Sequence, residues 1–311
     1  MSKNILYMLA PGSNISPFDV TLAADSGYDL VLPLTGVQNN DVIPTIQDAI
    51  FCRPPGRFQN TGIFLGGRDV NLAADMIESA KKAMVGPFQV GVFADPNGAY
   101  TTSASVVALV KKVLLQKTGK GFEGLNVAVL GGGPVGLCSA VLAAKEGANP
   151  YLCQLTADEN IKAAKRFCKR YDIEVPWVSA ETHKDKISAI AEADVILCAV
   201  KAGIRILDTE VLNHASKLIV AADTNAVPPS GVEGIDSQDN GVTVETETGS
   251  FSGIGPLAIG NLKYKVQYGL FEQMQNSKKA SMIDFEDAYH YAESLFKPVV
   301  ETSEELEEEF A

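Results

Sequence analysis

The sequence predicts an α/β protein with an N-terminal α/β half and a second, doubly wound parallel sheet, the two separated by a cleft. Three observations carry this. Apolar strand-like runs alternate with helix-like stretches along most of the chain. Around residues 127–147 a strand, three spaced glycines and an apolar helix follow one another. Between them the polar, glycine-containing stretch LQKTGKGFEG at 115–124 interrupts the pattern and marks a boundary. The halves are therefore expected at 1–115, joined by C-terminal helices in 265–311, and at 116–264.

The first half opens with a strand at 4–10 and a loop, Pro11-Gly12-Ser13-Asn14. A helix starts near Pro17, Phe18 and Asp19. Asp29–Pro33 reads as a second strand, 42–50 as a helix, and 63–65 as a short strand ending in Gly66-Gly67. Residues 69–84 have helical periodicity, with Val70, Ala73, Ala74, Ile77 and Ala80 on one face. Gln89–Ala94 is the next strand. Asp95-Pro96-Asn97-Gly98 is strong turn chemistry. Thr101 or Thr102 is placed to cap the following helix, which runs through Val106 and Val110 toward Leu115.

In the second half, Val127–Leu130 is a buried strand and Gly131, Gly133 and Gly136 fit G-x-G-x-x-G. Gly131 permits the tight turn, Gly133 lets a pyrophosphate approach the backbone, and Gly136 lets the helix pack on the strand. Pro134 and Val135 open that helix, whose unpaired N–H groups favour phosphate charge. Gly147 sits where its C-terminal cap belongs. Strands follow at 151–155, 175–178, 195–200 and 218–222, with helices at 135–146, 157–171, 182–192 and about 208–214. After Asp223 comes the loop NAVPPSGVEGID. Residues 236–250 suit a hairpin, a helix resumes from Ile259, and a last one covers 283–296.

Composition narrows the function. A chain of 311 residues with 46% hydrophobic residues has ample core. A net charge of −12 with no basic stripe excludes nucleic acid as a partner. No apolar run is long enough to span a bilayer, and MSKNILYMLAPGSN reads as a first strand rather than a signal peptide, so a cytoplasmic protein is expected. The acidic C-terminal tail reads as solvated. Cysteines 52, 138, 153, 168 and 198 have no C-x-x-C spacing and His183, His214 and His290 are scattered, so neither a disulfide framework nor a metal site is expected.

The chemistry is restricted in turn. The second strand of the nucleotide-binding half ends at Gln154, followed by Leu155 and Thr156, with no cation in the turn to neutralise a 2′-phosphate. NAD is favoured, with NADP possible. Asp223 and Asn225 follow the fifth strand, where such sheets place their ligand crevice. No acid–base pair stands out. Hydride transfer that leaves a resonance-stabilised cation needs none, only close approach, correct facing and exclusion of water. Oxidation of a carbon between two nitrogens is such a reaction.

The segments SPFDV (16–20), GPFQV (86–90), DPNGAYTT (95–102), GGGPVG (131–136), ADTNAVPPSGVEGID (222–236) and IGNLKYKV (259–266) resemble the NAD(P)-dependent methylene-tetrahydromethanopterin dehydrogenases, over nearly the whole chain to about 275. That family is similar in fold to methylenetetrahydrofolate dehydrogenases. The resemblance implies an N-terminal pterin-binding half beside a Rossmann-type half, and hydride transfer from a methylene-pterin to NAD(P). It places Phe18 and Lys263 against the pterin and Thr102 at the mouth of the cleft, with Asp19, Asp95, Asn97 and Gln267 around them. Gln267 stands where the family can carry His, and Leu155-Thr156 where NADP-preferring members carry Arg-Lys. A homo-oligomer, trimer or hexamer, is also implied. The folate carrier, or a dinucleotide-binding module without turnover, is the alternative. Each residue has a structural reading too: Phe18 as helix core, Thr102 as N-cap, Lys263 as a solvated helix residue, Asp19 and Asp95 as caps or turn formers, Asp223 and Asn225 as supports of the proline loop.

Overall fold

The computed structural model describes residues 2–156, 161–277 and 279–296. The acidic tail, the rest of the C-terminal stretch, and the first residues of the helix expected at 157–171 lie outside the described residues.

The first half is built from β1 (Ile5–Ala10), α1 (Pro17–Asp25), β2 (Leu30–Thr35), α2 (Asn39–Phe51), β3 (Thr61–Leu65), α3 (Val70–Ala83) and β4 (Gly91–Ala94). Its strands are parallel and lie in the order β2-β1-β3-β4. The loops at the C-terminal ends of β1, β3 and β4 therefore gather on one edge of the sheet. Asp69 starts α3 by accepting from the amides of Asn71 and Leu72.

The helix α4 (Ala99–Thr118) leaves that edge and enters the second half. Val106, Val107, Leu109 and Val110 are all buried, so the middle of α4 is enclosed on every side. It continues through residues 115–118 of the expected boundary and stops at Gly119, whose left-handed backbone (φ 72°) returns an N–H to the Leu115 carbonyl. Its start differs from the sequence expectation. Neither Thr101 nor Thr102 is the N-cap; Gly98 is, in the left-handed region at φ 68°. Glycine has no capping side chain, and Asp95, upstream, serves the exposed amides instead.

The second half comprises β5 (Asn126–Leu130), α5 (Pro134–Lys145), β6 (Asn149–Gln154), α6 (Ile161–Arg170), β7 (Trp177–Ser179), α7 (His183–Ile190), β8 (Val195–Cys198), α8 (Thr209–Leu212), β9 (Val220–Asp223), β10 (Asn240–Thr246) and β11 (Gly249–Ile254). Its strand order is β7-β6-β5-β8-β9-β11-β10. Read from β5 this is the doubly wound order 3-2-1-4-5-6, with β10 added antiparallel at the edge. The hairpin of β10 and β11 extends past the expected end at 250, because β11 pairs in parallel with β9 through Ser252, Gly253 and Ile254.

The chain then returns. α9 (Pro256–Asn276) packs on α1, α4, β3 and β4, the two-residue β12 (Met282–Ile283) extends the first sheet beside β4, and α10 (Phe285–Ser294) lies on α4. β12 went unnoticed in the sequence because two residues show no alternation.

Strand alternation divides the core in two. Val127, Val129, Val195 and Leu197 face one cluster, while Ala128, Leu130, Ile196 and Cys198 face the other. The first cluster is continuous from β1 through α4 to β5. Polar ties supplement it. Lys111 of α4 reaches Glu146 at 2.6 Å and Glu293 of α10 at 2.5 Å. Asp75 of α3 pairs with Arg166 and Arg170 of α6, and Asn71 donates to the Ala163 carbonyl at 3.1 Å. Among the described residues no helix is long and apolar enough to cross a membrane.

Candidate active site

The nucleotide side follows from the glycines. An ideal Cβ on Gly131, which sits at φ +102°, would lie 2.6 Å from the Ala199 carbonyl oxygen, and one on Gly136 would lie 2.0 Å from the Gly131 carbonyl oxygen. Both are backbone clashes, so these positions tolerate only glycine. A Cβ on Gly133 would meet nothing within 4 Å. That open space lies at the N-cap of α5, whose first turn opens with Pro134 and Val135. A pyrophosphate fits there, on backbone N–H groups, with the helix dipole behind it.

Gln154 is half-buried at the tip of β6 and turns its amide back to the Thr156 carbonyl at 3.2 Å. Leu155 packs against the second core cluster. Asp223 is fully buried. Its carboxylate accepts from the amides of Asn225, Gly231 and Val232, and burial pushes its pKa up. Asn225 accepts from Gly203 and Val227 and donates to the Pro229 carbonyl. Both side chains thus hold the proline loop, whose Pro228–Pro229 bond is cis, against the turn after β8.

The other side is assembled from α1, the β4–α4 turn and α9. A cavity of about 280 Å³ is lined by Ser16, Phe18, Asp19, Asn97, Gly98, Gly260 and Lys263. A larger cleft of about 820 Å³, at the loops after β1 and β3, shares Ser16, Asp19 and Asn97 with it and brings in Arg68. Phe18 is 44% exposed in the first turn of α1, so it is not helix core. The Lys263 ammonium lies 4.1 Å from the centre of its ring, a cation–π contact. The lysine stem crosses Gly98, where a Cβ would come within 2.9 Å of Cε.

Beneath Lys263 lies a polar chain. Its Nζ donates to Gln267 Oε1 at 2.8 Å, and Gln267 Nε2 donates to Asp19 Oδ1 at 2.7 Å. Gln267 is fully buried and lines neither cavity. Asp19 is nearly so, and its pKa is pushed up to about 6 by burial and by the charge of Asp95, against the pull of Gln267 and Lys263.

Asp95 is fully buried. It accepts from the amides of Tyr100 and Thr101 at 2.9 and 3.2 Å and from the Thr101 hydroxyl at 2.6 Å. Burial raises its pKa; the Lys263 charge and these bonds oppose the rise. Thr102 donates its hydroxyl to the Gly98 carbonyl at 2.6 Å and lines neither cavity. The structure therefore brings Phe18, Asp19, Asn97 and Lys263 together around one cavity, while Asp95, Thr102 and Gln267 line neither. Sequence reasoning missed Ser16, Gly260 and Arg68, though Gly66-Gly67 at the end of β3 signals a close-packed turn beside Arg68.

A family profile described as methylene-tetrahydromethanopterin dehydrogenase, N-terminal, matches residues 17–97. The sequence is 43% identical over 294 residues, 94% of this chain and 98% of the other, to the NAD(P)-dependent methylenetetrahydromethanopterin dehydrogenase of Methylorubrum extorquens. It is 34% identical over 296 residues, 95% of this chain and 100% of the other, to the bifunctional protein MdtA of that organism. Among solved structures, shikimate 5-dehydrogenase from Listeria monocytogenes, in complex with shikimate and NAD, aligns with a TM-score of 0.52 at 13% identity, over 94% of this chain and 96% of that one. At that identity the likeness speaks for the fold alone.

Two predictions follow from the geometry. Gly133→Ala leaves thermal stability unchanged but raises the nicotinamide KM, because its methyl occupies only ligand space. Gly136→Ala strikes backbone and lowers stability by about 3 kcal/mol or more. Thermal melts beside cofactor titrations check both, and a destabilised Gly133→Ala with normal cofactor binding would return that glycine to packing.

The second concerns Asp19. Folded, it holds its proton up to about pH 6 against an ordinary 3.8. The folded state thus binds more protons between those values, and stability falls as pH rises through that window. Asp19→Asn is expected to be more stable than wild type above pH 6, by about 3 kcal/mol at most, the gain vanishing toward pH 4. Denaturant melts across pH check this; a gain that does not change with pH defeats it.

Proposed function

The chain belongs to the methylenetetrahydromethanopterin dehydrogenase family, and from that membership and the site's geometry we propose how its parts divide the work. The protein is an oxidoreductase: a hydride passes from the methylene bridge of methylene-tetrahydromethanopterin to NAD(P), leaving the methenyl form. The first half, with α9, holds the pterin, and the doubly wound half holds the dinucleotide. The single observation that carries this division is the cavity on which Phe18, Lys263, Asp19 and Asn97 converge.

The nicotinamide supplies the hydride acceptor. Gly131 to Gly136 cradle its pyrophosphate, Gln154 and Leu155 border the ribose, and the loop held by Asp223 and Asn225 backs the crevice. On the pterin side, Phe18 offers an exposed aromatic face for the ring to lie on. Lys263 has three N–H donors, of which one is spent on Gln267. The others reach the carbonyl and amide rim of the pterin, and this fixes the distance and facing of the reacting carbon. Asn97 borders the cavity, and Thr102 supports it through the Gly98 carbonyl.

The charge balance suits the product. A lone ammonium would oppose the cationic methenyl carbon. Here Asp95 and Asp19 stand close enough to Lys263 to feel its charge. Above pH 6 Asp19 is a carboxylate, and its charge offsets the Lys263 ammonium where positive charge develops. No proton moves in the chemical step.

Association of three or six copies belongs to the same proposal. Its support is β2, an edge strand with Leu30 and Leu32 each 39% exposed. Sedimentation at working concentration tests it.

Lys263→Ala should lower kcat/KM for the pterin about a hundredfold with nicotinamide binding intact. Absorbance of reduced nicotinamide, with the pterin and the dinucleotide each varied, measures both; near-normal pterin kinetics would remove Lys263 from the site. At the other end, Leu155→Arg with Thr156→Lys should improve NADP use, by about 1.5–3 kcal/mol for each charge-assisted bond formed. A wild type that strongly prefers NADP would contradict this reading of the turn.

A further inference from the structure

We propose that Gln267 is the positioning residue of this site: a one-way amide bridge, anchored on Asp19, that fixes where the Lys263 ammonium stands over the cavity. The proposal rests on the reading of that cavity as the pterin site.

An amide between two like partners can sit either way round. Gln267 cannot. Asp19 as a carboxylate only accepts, and Lys263 as an ammonium only donates. One orientation satisfies both, with Nε2 toward Asp19 at 2.7 Å and Oε1 toward Lys263 at 2.8 Å. Turning the amide over would set NH₂ against ammonium and carbonyl against carboxylate, losing both bonds in a place without water to replace them.

The lysine needs such a guide. Its four-carbon stem carries large rotamer freedom, and a free ammonium points where it will. Three elements here confine it. Gly98 at the entry to α4 leaves room for the stem, the Phe18 ring of α1 flanks the charge, and Gln267 of α9 supplies the bond with a direction.

The spacer matters as much as the bond. A direct ion pair with Asp19 would pull the ammonium down into the floor of the site. The amide keeps acid and base one side chain apart and leaves two lysine N–H groups for a ligand. The charged and titratable groups facing this unit are Asp19, Asp95 and Lys263, and Gln267 passes polarity between them without titrating itself.

The test is a double-mutant cycle with a chemical readout. Wild type, Gln267→Leu, Lys263→Ala and the double variant are compared with methylene-tetrahydromethanopterin and NAD. Gln267→Leu is expected to lower kcat/KM for the pterin by about ten- to a hundredfold, with the NAD KM changed less than twofold. In the Lys263→Ala background the same change should cost less than a further twofold, because its target is gone. Losses that multiply would overturn the bridge.

Gln267→Glu provides the second arm. Its carboxylate would face that of Asp19, and the two would share one proton. Activity should then recover as pH is lowered and fall as it is raised, opposite to wild type. A wild-type profile in this variant would also overturn the proposal, and it decides the matter if Gln267→Leu does not fold.

The rate at which an acylating probe modifies Lys263, followed by mass spectrometry without substrate, separates this claim from the functional reading. Faster labelling in Gln267→Leu supports the bridge; unchanged labelling in that variant sinks it. Wild-type enzyme inert toward the pterin would defeat the functional reading and leave the labelling result to stand.

Discussion

The architecture depends on one buried carboxylate. Asp95 sits where β4 gives way to α4, beyond reach of water, and answers for two amides and a hydroxyl that the helix start would otherwise leave unpaired. An enclosed helix cannot hydrate its N-terminus, so something must take those donors. The usual cap position is filled by Gly98, which has no side chain to offer and is left-handed to let the chain turn. The bare Gly98 then becomes the shelf across which Lys263 passes. Starting the central helix and placing the site's cation are therefore one arrangement.

This arrangement accepts a cost. Asp19 and Asp95 are both buried, burial raises the pKa of each, and the charge of Asp95 adds to Asp19's reluctance to ionise. A fold optimised only for stability would replace one of them. The nucleotide side shows a different economy. There, Asp223 and Asn225 commit their side chains to the shape of a loop.

How much of this was legible in the sequence follows from distance along the chain. The glycine fingerprint was readable because turn, close approach and helix packing are settled within six residues. So were the longer strands of both sheets, whose apolar runs are long enough to count, but not the two-residue β12. The start of α4 was misread because Thr101 and Thr102 fit the local rule for a cap, while the group that serves those amides stands several residues upstream in a turn. The pairing of Gln267 with Asp19 joins residues 248 positions apart, and no local pattern announces it. Phe18, Asp19 and Lys263 were singled out only through resemblance; their convergence on one cavity is a property of the packing of α9 on α1.

The shared helix α4 also bears on modularity. One apolar cluster runs from the first sheet through α4 into the second, and α9 and α10 close over the same helix after the chain has completed the second sheet. Neither half owns α4. Cutting the chain at Gly119 would strip the nucleotide half of its inner wall and deprive the first half of the return strand and the lysine. Grafting a relative's nucleotide half would require exchanging one side of α4 while preserving the other. A change at the tip of β6 leaves this shared wall untouched, whereas exchanging a half does not.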